Sequence, residues 1–164
     1  MEKAREALSV GAGESERVAS LDVRPHRAGD AASFYEGFAL RGIRVDLIQR
    51  GSLSCTFKVP PRLTDVNGNL SAGAIANLVD EVGGAVMHAD GHRMKVSVDM
   101  SISYMSTAKV DNLIGEQDEL EITSSVLGHK GAYTGTYVLL RNKTTGEIVA
   151  EGRHSLFGNL KSKI

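Results

Sequence analysis

The sequence predicts an α+β fold in which an antiparallel sheet wraps around one long helix. Six segments alternate apolar and polar residues with a period of two, which is typical of half-buried strands. One segment, residues 72–89, instead repeats large apolar residues at the i, i+3, i+4 spacing of an amphipathic helix. Because two strands precede the helix and four follow it, a sheet packed on that single helix is the simplest arrangement that buries both apolar faces.

The strands are bounded by residues that favour turns. Gly51 separates the first two strands, Pro60-Pro61 ends the second, and residues 142–146 form the turn of a final antiparallel hairpin. We interpret Gly128 to Gly131 as a further hairpin turn. The predicted strands are Ile43 to Leu47, Leu53 to Val59, Val96 to Tyr104, Glu119 to Val126, Ala132 to Leu140 and Ile148 to Phe157.

The composition fits one globular domain and excludes several classes of protein. Of the 164 residues, 41% are hydrophobic and 24% are charged, and the net charge is −1. This balance argues against wholesale disorder and gives no bulk attraction to nucleic acid or to an anionic membrane. No run approaches the roughly 18 apolar residues of a membrane span. The single cysteine, Cys55, rules out an internal disulfide and favours a reducing compartment.

The two ends of the chain carry different signals. Residues 1–30 lack a run of large apolar side chains and are predicted to be a flexible N-terminal arm, with the folded domain over residues 31–164. The arm has neither the apolar segment of a secretory signal nor the acid-poor composition of a transit peptide. The tail Ser162-Lys163-Ile164 differs only in its last residue from the Ser-Lys-Leu peroxisomal address. A cytoplasmic or peroxisomal location is therefore predicted.

Two residue types that often carry chemistry are interpreted as structural here. His88 and His92 have the i, i+4 spacing of two metal ligands on a helix, but Gly91 between them should end the helix and no third ligand follows from the spacing. No metal site is predicted. Cys55 lies in the apolar register of its strand and is predicted to be a buried thiol, not a nucleophile.

The long helix carries one acidic residue on its face of small residues. Asp80 shares that face with Gly83 and Gly84. An interior glycine costs a helix about 1 kcal/mol relative to alanine, so two of them indicate the close approach of another backbone. A carboxylate on that face would be partly desolvated and is a candidate functional group. The alternative is an ordinary exposed helix acid.

The start of the helix is a second candidate site. Ser71 is the predicted N-cap, and the loop from Asp65 to Leu70 leads the chain into Ala72 and Gly73. Free backbone N–H groups at a helix start, together with the positive end of its dipole, can stabilise a developing oxyanion. A capped helix without a function fits the same residues.

Three segments, taken in order, resemble a known family. They are Leu78-Val79-Asp80 on the helix, Ser97 to Ser106 on the strand that follows it, and Ala150-Glu151-Gly152-Arg153-His154 near the end of the chain. Together they resemble the hotdog-fold acyl-coenzyme A thioesterases, in the group that includes the phenylacetate-pathway enzymes. The resemblance covers about Ile43 to Gly158.

The resemblance implies hydrolysis of acyl-coenzyme A thioesters to the free acid and coenzyme A. Asp80 would be the catalytic carboxylate, with Ser97 as its polar partner. Asp65, in the loop before the helix, is a further catalytic candidate, and the amide of Ala72 from a second subunit would polarise the carbonyl. The implied assembly is a homotetramer, a dimer of dimers with the substrate bound across each dimer interface. No cofactor is implied, since coenzyme A is part of the substrate. The substrate-binding residues implied are Ser71, Gly73, Tyr104, Met105, Ser106, Lys109, His129, Lys130 and Gly131.

The chain departs from the family pattern at the helix start. The family has Asn in the loop and His-Gly-Gly at the helix, whereas this chain has Asp65 and then Ser71-Ala72-Gly73. If Asp65 lies near Asp80, like charges would raise the pKa of one of them. A non-catalytic acyl-coenzyme A binding protein of the same fold therefore stays open as an alternative, as does a hotdog hydratase.

Overall fold

A computed structural model of the chain describes residues 2–27, 29, 33–111 and 116–158, and divides it into two units, Met1–Phe38 and Ala39–Ile164. The first unit contains helices α1 and α2, all of whose residues are exposed. The predicted arm of residues 1–30 stays a prediction, since exposure does not measure mobility. The helices are α1 Glu2–Ala7, α2 Ala12–Ala19, α3 Phe34–Leu40 and α4 Ala72–Ala89.

The second unit is built on an antiparallel six-stranded sheet with the strand order β1-β2-β6-β7-β8-β3. The edge strands are therefore β1 and β3. The six predicted strands are all present, and a separate pair, β4 and β5, was not predicted. The strands are β1 Ile43–Gln49, β2 Ser52–Lys58, β3 Val96–Tyr104, β4 Val110–Asp111, β5 Glu116–Gln117, β6 Glu119–Lys130, β7 Tyr133–Asn142 and β8 Ile148–Phe157.

The predicted turn over Gly128 to Gly131 is wrong in its position. Strand β6 continues to Lys130, and the chain reverses at Gly131 and Ala132. The pairing of β6 with β7 shifts register between Val126 and Gly128, so Gly128 lies at an irregularity inside the strand. Glycine is common at such strand irregularities as well as in turns, and sequence alone did not separate the two.

Helix α4 packs its apolar side on the inner face of the sheet, as predicted. Four of its large side chains, Leu78, Val79, Val82 and Val86, are at most 3% exposed. They meet inward-facing residues of β2, β6, β7 and β8, among them Phe57, Leu120, Ile122, Val138, Leu140 and Val149. Among the described residues no helix is long and apolar enough to cross a membrane.

Both ends of α4 are fixed by the residues that the sequence indicated. The Ser71 hydroxyl accepts a hydrogen bond from the Ala74 amide at 3.3 Å, so Ser71 is the N-cap. At the other end Gly91 has φ +80° and donates to the His88 carbonyl, while the His92 amide donates to the Met87 carbonyl at 2.9 Å. This pair of bonds is the Schellman motif, which needs the left-handed conformation that glycine adopts without strain.

Two glycines allow α4 to lie directly against the sheet. A Cβ atom at Gly83 would stand 2.9 Å from Nδ1 of His154 and 3.1 Å from Cγ2 of Val138. On the facing strand β8, a Cβ at Gly152 would stand 2.5 Å from Cγ1 of Val79. The close approach predicted from the helix glycines is therefore present, and it involves one glycine from each partner.

Adjacent helix glycines should respond differently to alanine. Gly83→Ala forces the new methyl group against the buried His154 ring and should lower the free energy of unfolding by about 1–3 kcal/mol. Gly84→Ala meets only the Met94 side chain, which is 54% exposed and able to move, so the change should stay within about 1 kcal/mol of zero. Urea denaturation of both variants measures the difference, and equal losses would contradict the packing described.

Candidate active site

Asp80 lies midway along α4 and forms a short hydrogen bond with the first strand after the helix. The Ser97 hydroxyl on β3 donates to Oδ1 of Asp80 at 2.6 Å. The Asp80 side chain is 40% exposed in the single chain. The resemblance implied that Asp80 and Ser97 act together, and the structure brings these two side chains into contact. The carboxylate can thus be reached by a substrate while one of its oxygens is held in place.

A third side chain, His154 on β8, lies behind the same carboxylate oxygen. Its Nε2 atom is 3.3 Å from Oδ1 of Asp80, and its side chain is fully buried. The approach is close but not aligned as a hydrogen bond, and within the described part of the chain neither ring nitrogen has a hydrogen-bond partner. Buried polar groups without partners are rare and occur at functional sites. His154 therefore belongs to the candidate site.

Burial keeps His154 neutral. Loss of hydration lowers the pKa of the imidazole below its ordinary value of 6.5, and the nearby Asp80 charge opposes that effect without cancelling it. A neutral ring presents one N–H donor and one acceptor. The ring can therefore present an N–H donor on the side that faces Asp80.

The sequence contains a signal for His154 besides its place in the family resemblance. Strand β8 alternates Ala150, Gly152, His154 and Leu156 on its buried face. A histidine in a series of inward-facing small and apolar residues is unusual, because polar side chains are rarely fully buried without a partner. The contact with Asp80 could not be inferred, since it depends on which helix residue lies opposite.

The first two amides of α4 belong to the exposed residues Ala72 and Gly73. Ser71 uses its hydroxyl to cap the Ala74 amide, and the Ile75 amide makes the first bond within the helix. The amides of Ala72 and Gly73 precede these and have no carbonyl inside α4 to bind. Within the described part of the chain no backbone carbonyl accepts from them, so an oxygen atom from outside can bind there.

Asp65 does not behave as the sequence suggested. Its Oδ1 atom accepts hydrogen bonds from the amides of Asn67 at 2.8 Å and Asn69 at 3.0 Å, and Oδ2 accepts from the Asn69 side chain at 3.2 Å. These bonds, led by that of the Asn69 backbone, lower the pKa of Asp65. The expected rise of a pKa through repulsion between Asp65 and Asp80 is therefore not found for Asp65. The Asp65 carboxylate therefore stabilises the loop that contains Asn67 and Asn69.

The predicted substrate-binding residues form two separate groups in one chain. The first group lies at the N-terminal end of α4, where the Tyr104 hydroxyl donates to the Ala72 carbonyl at 3.4 Å and Lys109 pairs with the loop residue Asn69. Ser71, Gly73, Met105 and Ser106 belong to it, with Met105 60% exposed and the Ser106 hydroxyl bound to the Ile148 carbonyl at 2.9 Å.

The second group lies at the C-terminal end of α4. His129 contacts Asp90, the C-cap residue of the helix, with 2.7 Å between Nε2 and Oδ2, and Lys130 and Gly131 follow at the β6–β7 turn. The 18 residues of α4 span roughly 27 Å. Asp80 is roughly 12 Å along the axis from Ala72. One chain therefore does not bring Asp80, the Ala72 amide and the β6–β7 turn together around one thioester.

Cys55 is buried at 2% exposure, and burial raises the pKa of its thiol. The thiolate is thus disfavoured, which agrees with the interpretation of Cys55 as a core residue.

Comparison with known proteins identifies thioesterases among the relatives of this chain. Residues 67–128 match the family described as the Thioesterase superfamily. Mouse acyl-coenzyme A thioesterase 13 is 41% identical over 104 residues, which are 63% of this chain and 70% of that protein. The crystal structure of zebrafish thioesterase superfamily member 2 aligns with a TM-score of 0.69 and 31% identity, covering 78% of this chain and 88% of that one.

A more distant structure shares the fold. A hypothetical thioesterase from Streptococcus pneumoniae, solved with coenzyme A, aligns with a TM-score of 0.65 and 23% identity over 73% of this chain and 87% of that one. The antiparallel sheet with one long helix is therefore the hotdog fold, as the sequence predicted.

The buried neutral His154 should make stability depend on pH. Its pKa is lower in the folded than in the unfolded chain, so below about pH 6.5 the unfolded chain binds more protons and the free energy of unfolding falls. The slope due to this one group is at most about 1.4 kcal/mol per pH unit. Urea denaturation of the wild type and of His154→Gln at pH 7 and pH 5 should show the smaller loss in the variant; parallel losses would contradict the buried neutral state.

Proposed function

The chain belongs to the thioesterase superfamily, and on that basis we propose that it hydrolyses acyl-coenzyme A thioesters to the free acid and coenzyme A. The observation that carries this proposal is the mid-helix carboxylate of Asp80, partly exposed and held by Ser97 in front of a buried neutral His154. The relatedness to acyl-coenzyme A thioesterase 13 supports the substrate class.

The carboxylate supplies the base for the reaction. Asp80 takes a proton from a water molecule as the water oxygen bonds to the thioester carbonyl carbon. The carbonyl π electrons move onto its oxygen, and when the carbonyl re-forms, the C–S bond breaks and the sulfur of coenzyme A receives the proton from Asp80. Direct attack by the carboxylate, followed by hydrolysis of the anhydride, uses the same residue. Ser97 fixes Oδ1 in either case, which leaves Oδ2 to face the substrate.

The oxyanion requires a donor that the same chain does not place beside Asp80. The Ala72 amide lies roughly 12 Å away along the axis of α4, so a shared thioester needs the helix start of a second copy. A backbone N–H aimed at the developing oxyanion is worth about 3–4 kcal/mol of transition-state stabilisation in other acyl-transfer enzymes. We therefore place the reaction at the interface of a dimer.

Edge strand β3 supports that dimer. Val96, Val98 and Tyr104 on this strand are 65%, 50% and 51% exposed. An unpaired edge with apolar side chains is a template for association with another strand. Edge strand β1 is similar, with Leu47 and Ile48 52% and 65% exposed, which supports further association into a homotetramer.

Coenzyme A would use the two separated groups of binding residues from different copies. Tyr104, Met105, Ser106 and Lys109 lie near the helix start, and Lys130 and Gly131 at the β6–β7 turn. Lysine side chains and turn amides suit the phosphates of coenzyme A. His129 is already engaged with Asp90 and contributes less.

Two further proposals concern the N-terminal residues and the location of the protein. We propose that residues 1–30 form an arm outside the thioesterase domain, and that the protein acts in the cytoplasm or the peroxisome. The tail Ser162-Lys163-Ile164 on which the peroxisomal prediction depends lies outside the described residues.

A binding protein without hydrolysis is the second candidate. Where the family has a histidine at the helix start, this chain has Ser71, and its hydroxyl is used to cap the Ala74 amide. The site therefore lacks one side-chain donor near the carbonyl. Calorimetry with a non-hydrolysable acyl-coenzyme A analogue, together with an absence of thiol release from a panel of acyl-coenzyme A esters, would establish this alternative.

Asp80→Asn should remove the base while preserving shape. We expect kcat for release of free thiol from acyl-coenzyme A to fall at least about 100-fold, because general-base catalysis supplies that much. Glu121→Gln is the matched control: its neighbours Leu120 and Ile122 face the core, so Glu121 points to the outer face of the sheet, and turnover should be unchanged. Full activity of Asp80→Asn would refute the assignment.

Val98→Lys should prevent the pairing of β3 edges. A lysine on an edge strand opposes strand addition, so light scattering at micromolar concentration should show an assembly of at most half the wild-type mass, with thioesterase activity reduced at least about tenfold. Leu47→Lys on the other edge should keep the β3-paired dimer and its activity. A Val98→Lys variant of reduced mass with full activity would show that the site does not need the β3 pairing.

A further inference from the structure

Three side chains that can bind a metal meet beyond the C-terminal end of α4. Oδ2 of Asp90 lies 2.7 Å from Nε2 of His129 and 3.5 Å from Nε2 of His92. One potential ligand atom from each of the three residues lies within 4.8 Å of the others. The two imidazole rings are 4.5 Å apart between centroids, tilted by 48°. His88, which the sequence spacing pairs with His92, is exposed and is not part of this group.

The backbone conformation at the end of α4 brings Asp90 and His92 close together. Asp90 is the C-cap of α4, and the left-handed conformation of Gly91 turns the chain so that His92 returns beside Asp90. The bonds of this Schellman motif join the His92 amide to the Met87 carbonyl at 2.9 Å. His129 comes from β6, where it pairs with Thr134 of β7. The group therefore joins the residues that end α4 to the β6–β7 hairpin.

The orientation of His129 is set by a buried neighbour. Its Nδ1 atom is 2.8 Å from the hydroxyl of Thr134, which is 1% exposed. The Lys95 ammonium also donates to this hydroxyl, at 2.7 Å, and to the Ala132 carbonyl at 3.1 Å. A hydroxyl oxygen has two acceptor positions, so it can accept from both Lys95 and Nδ1–H. In the tautomer with the proton on Nδ1, Nε2 of His129 is unprotonated and can act as a metal ligand.

A metal ion would replace a proton in this cluster. In the structure the 2.7 Å contact is a hydrogen bond between His129 and Asp90, and metal binding displaces such a proton. With the proton of His129 on Nδ1, one atom from each of the three side chains offers an electron pair to the same ion. A metal-bound histidine characteristically gives its other N–H to a second group, and the Thr134 hydroxyl lies 2.8 Å from Nδ1 of His129. The Lys95 ammonium donates to Thr134 and Ala132.

We propose that Asp90, His92 and His129 form a binding site for a divalent transition-metal ion of the zinc class. Zinc takes imidazole nitrogens and carboxylate oxygens at about 2.0–2.2 Å in a tetrahedral arrangement, which sets ligand atoms roughly 3.3 Å apart. The 2.7 and 3.5 Å separations from Oδ2 bracket this value, and all three ligand atoms lie within 4.8 Å of one another, so small movements of the two partly exposed histidines admit the ion. A solvent molecule completes the coordination, because the histidine side chains are each 33% exposed.

The site is separate from the Asp80 centre, although it shares His129 with the second group of proposed coenzyme A-binding residues. It lies at the opposite end of α4 from the Ala72 amide, and ten residues, roughly 15 Å of helix, separate Asp90 from Asp80. An ion bound there would cross-link the C-terminal end of α4 to the β6–β7 hairpin. The expected consequence of binding is a more stable fold, by mass action on the folded state.

Titration of the purified full-length chain with Zn²⁺, and separately with Co²⁺, tests the proposal. Calorimetry should give one ion per chain, and Zn²⁺ should raise the melting temperature. Asp90→Asn, His92→Gln and His129→Gln should each weaken binding at least about tenfold and abolish the rise in melting temperature. His88→Gln removes a neighbouring exposed histidine and should bind like the wild type. Circular dichroism in the presence of a chelator confirms that each variant is folded.

Two results would overturn the proposal. Equal affinity of the wild type and His129→Gln would show that the ion binds elsewhere. Wild-type binding that requires millimolar Zn²⁺ would show that the group is a hydrogen-bonded His–Asp–His cluster without a metal function. His92→Gln changes only a partly exposed side chain, so a folding defect in the other two variants would leave this comparison intact.

Discussion

The approach of α4 to the sheet is the constraint on which the rest of the second unit depends. Gly83 on the helix and Gly152 on β8 leave no room for a side chain, so the helix axis lies directly over the central strands. Interiors packed to this density transmit small displacements, because there is no free volume to absorb them. The position of Asp80 relative to β3 and β8 is therefore set by packing before any polar contact forms.

That packing brings together an acid and a base that do not neutralise each other. His154 is buried deeply enough to stay uncharged, while Asp80 is open on one side and held by the Ser97 hydroxyl. If His154 were charged, it would form an ion pair with Asp80 and occupy the carboxylate. A neutral ring beside it leaves the carboxylate free to accept a proton, and a low-dielectric wall on one side strengthens its interaction with a bound substrate.

Features that depend on residues close together in the sequence could be predicted. Contacts between a helix and the strand packed against it could not. Ser71 and Gly91 fix the ends of α4 through bonds to residues three to five positions away, so their roles follow from the sequence. His154 and Asp80 are brought together by the sheet, and alternation alone does not say which helix residue a strand residue meets. The spacing of His88 and His92 suggested one pair, whereas the fold joins His92 with His129.

The length of α4 determines how damage to one chain would affect the two catalytic centres of the proposed dimer. The acid and the oxyanion donor are separated along one helix, so in the proposed dimer each centre borrows its donor from the neighbouring copy. Damage to the helix start of one chain would then silence the centre whose acid belongs to the other. A mixed dimer of one altered and one intact chain would therefore keep one working centre, and two differently damaged chains could restore one working centre by complementation.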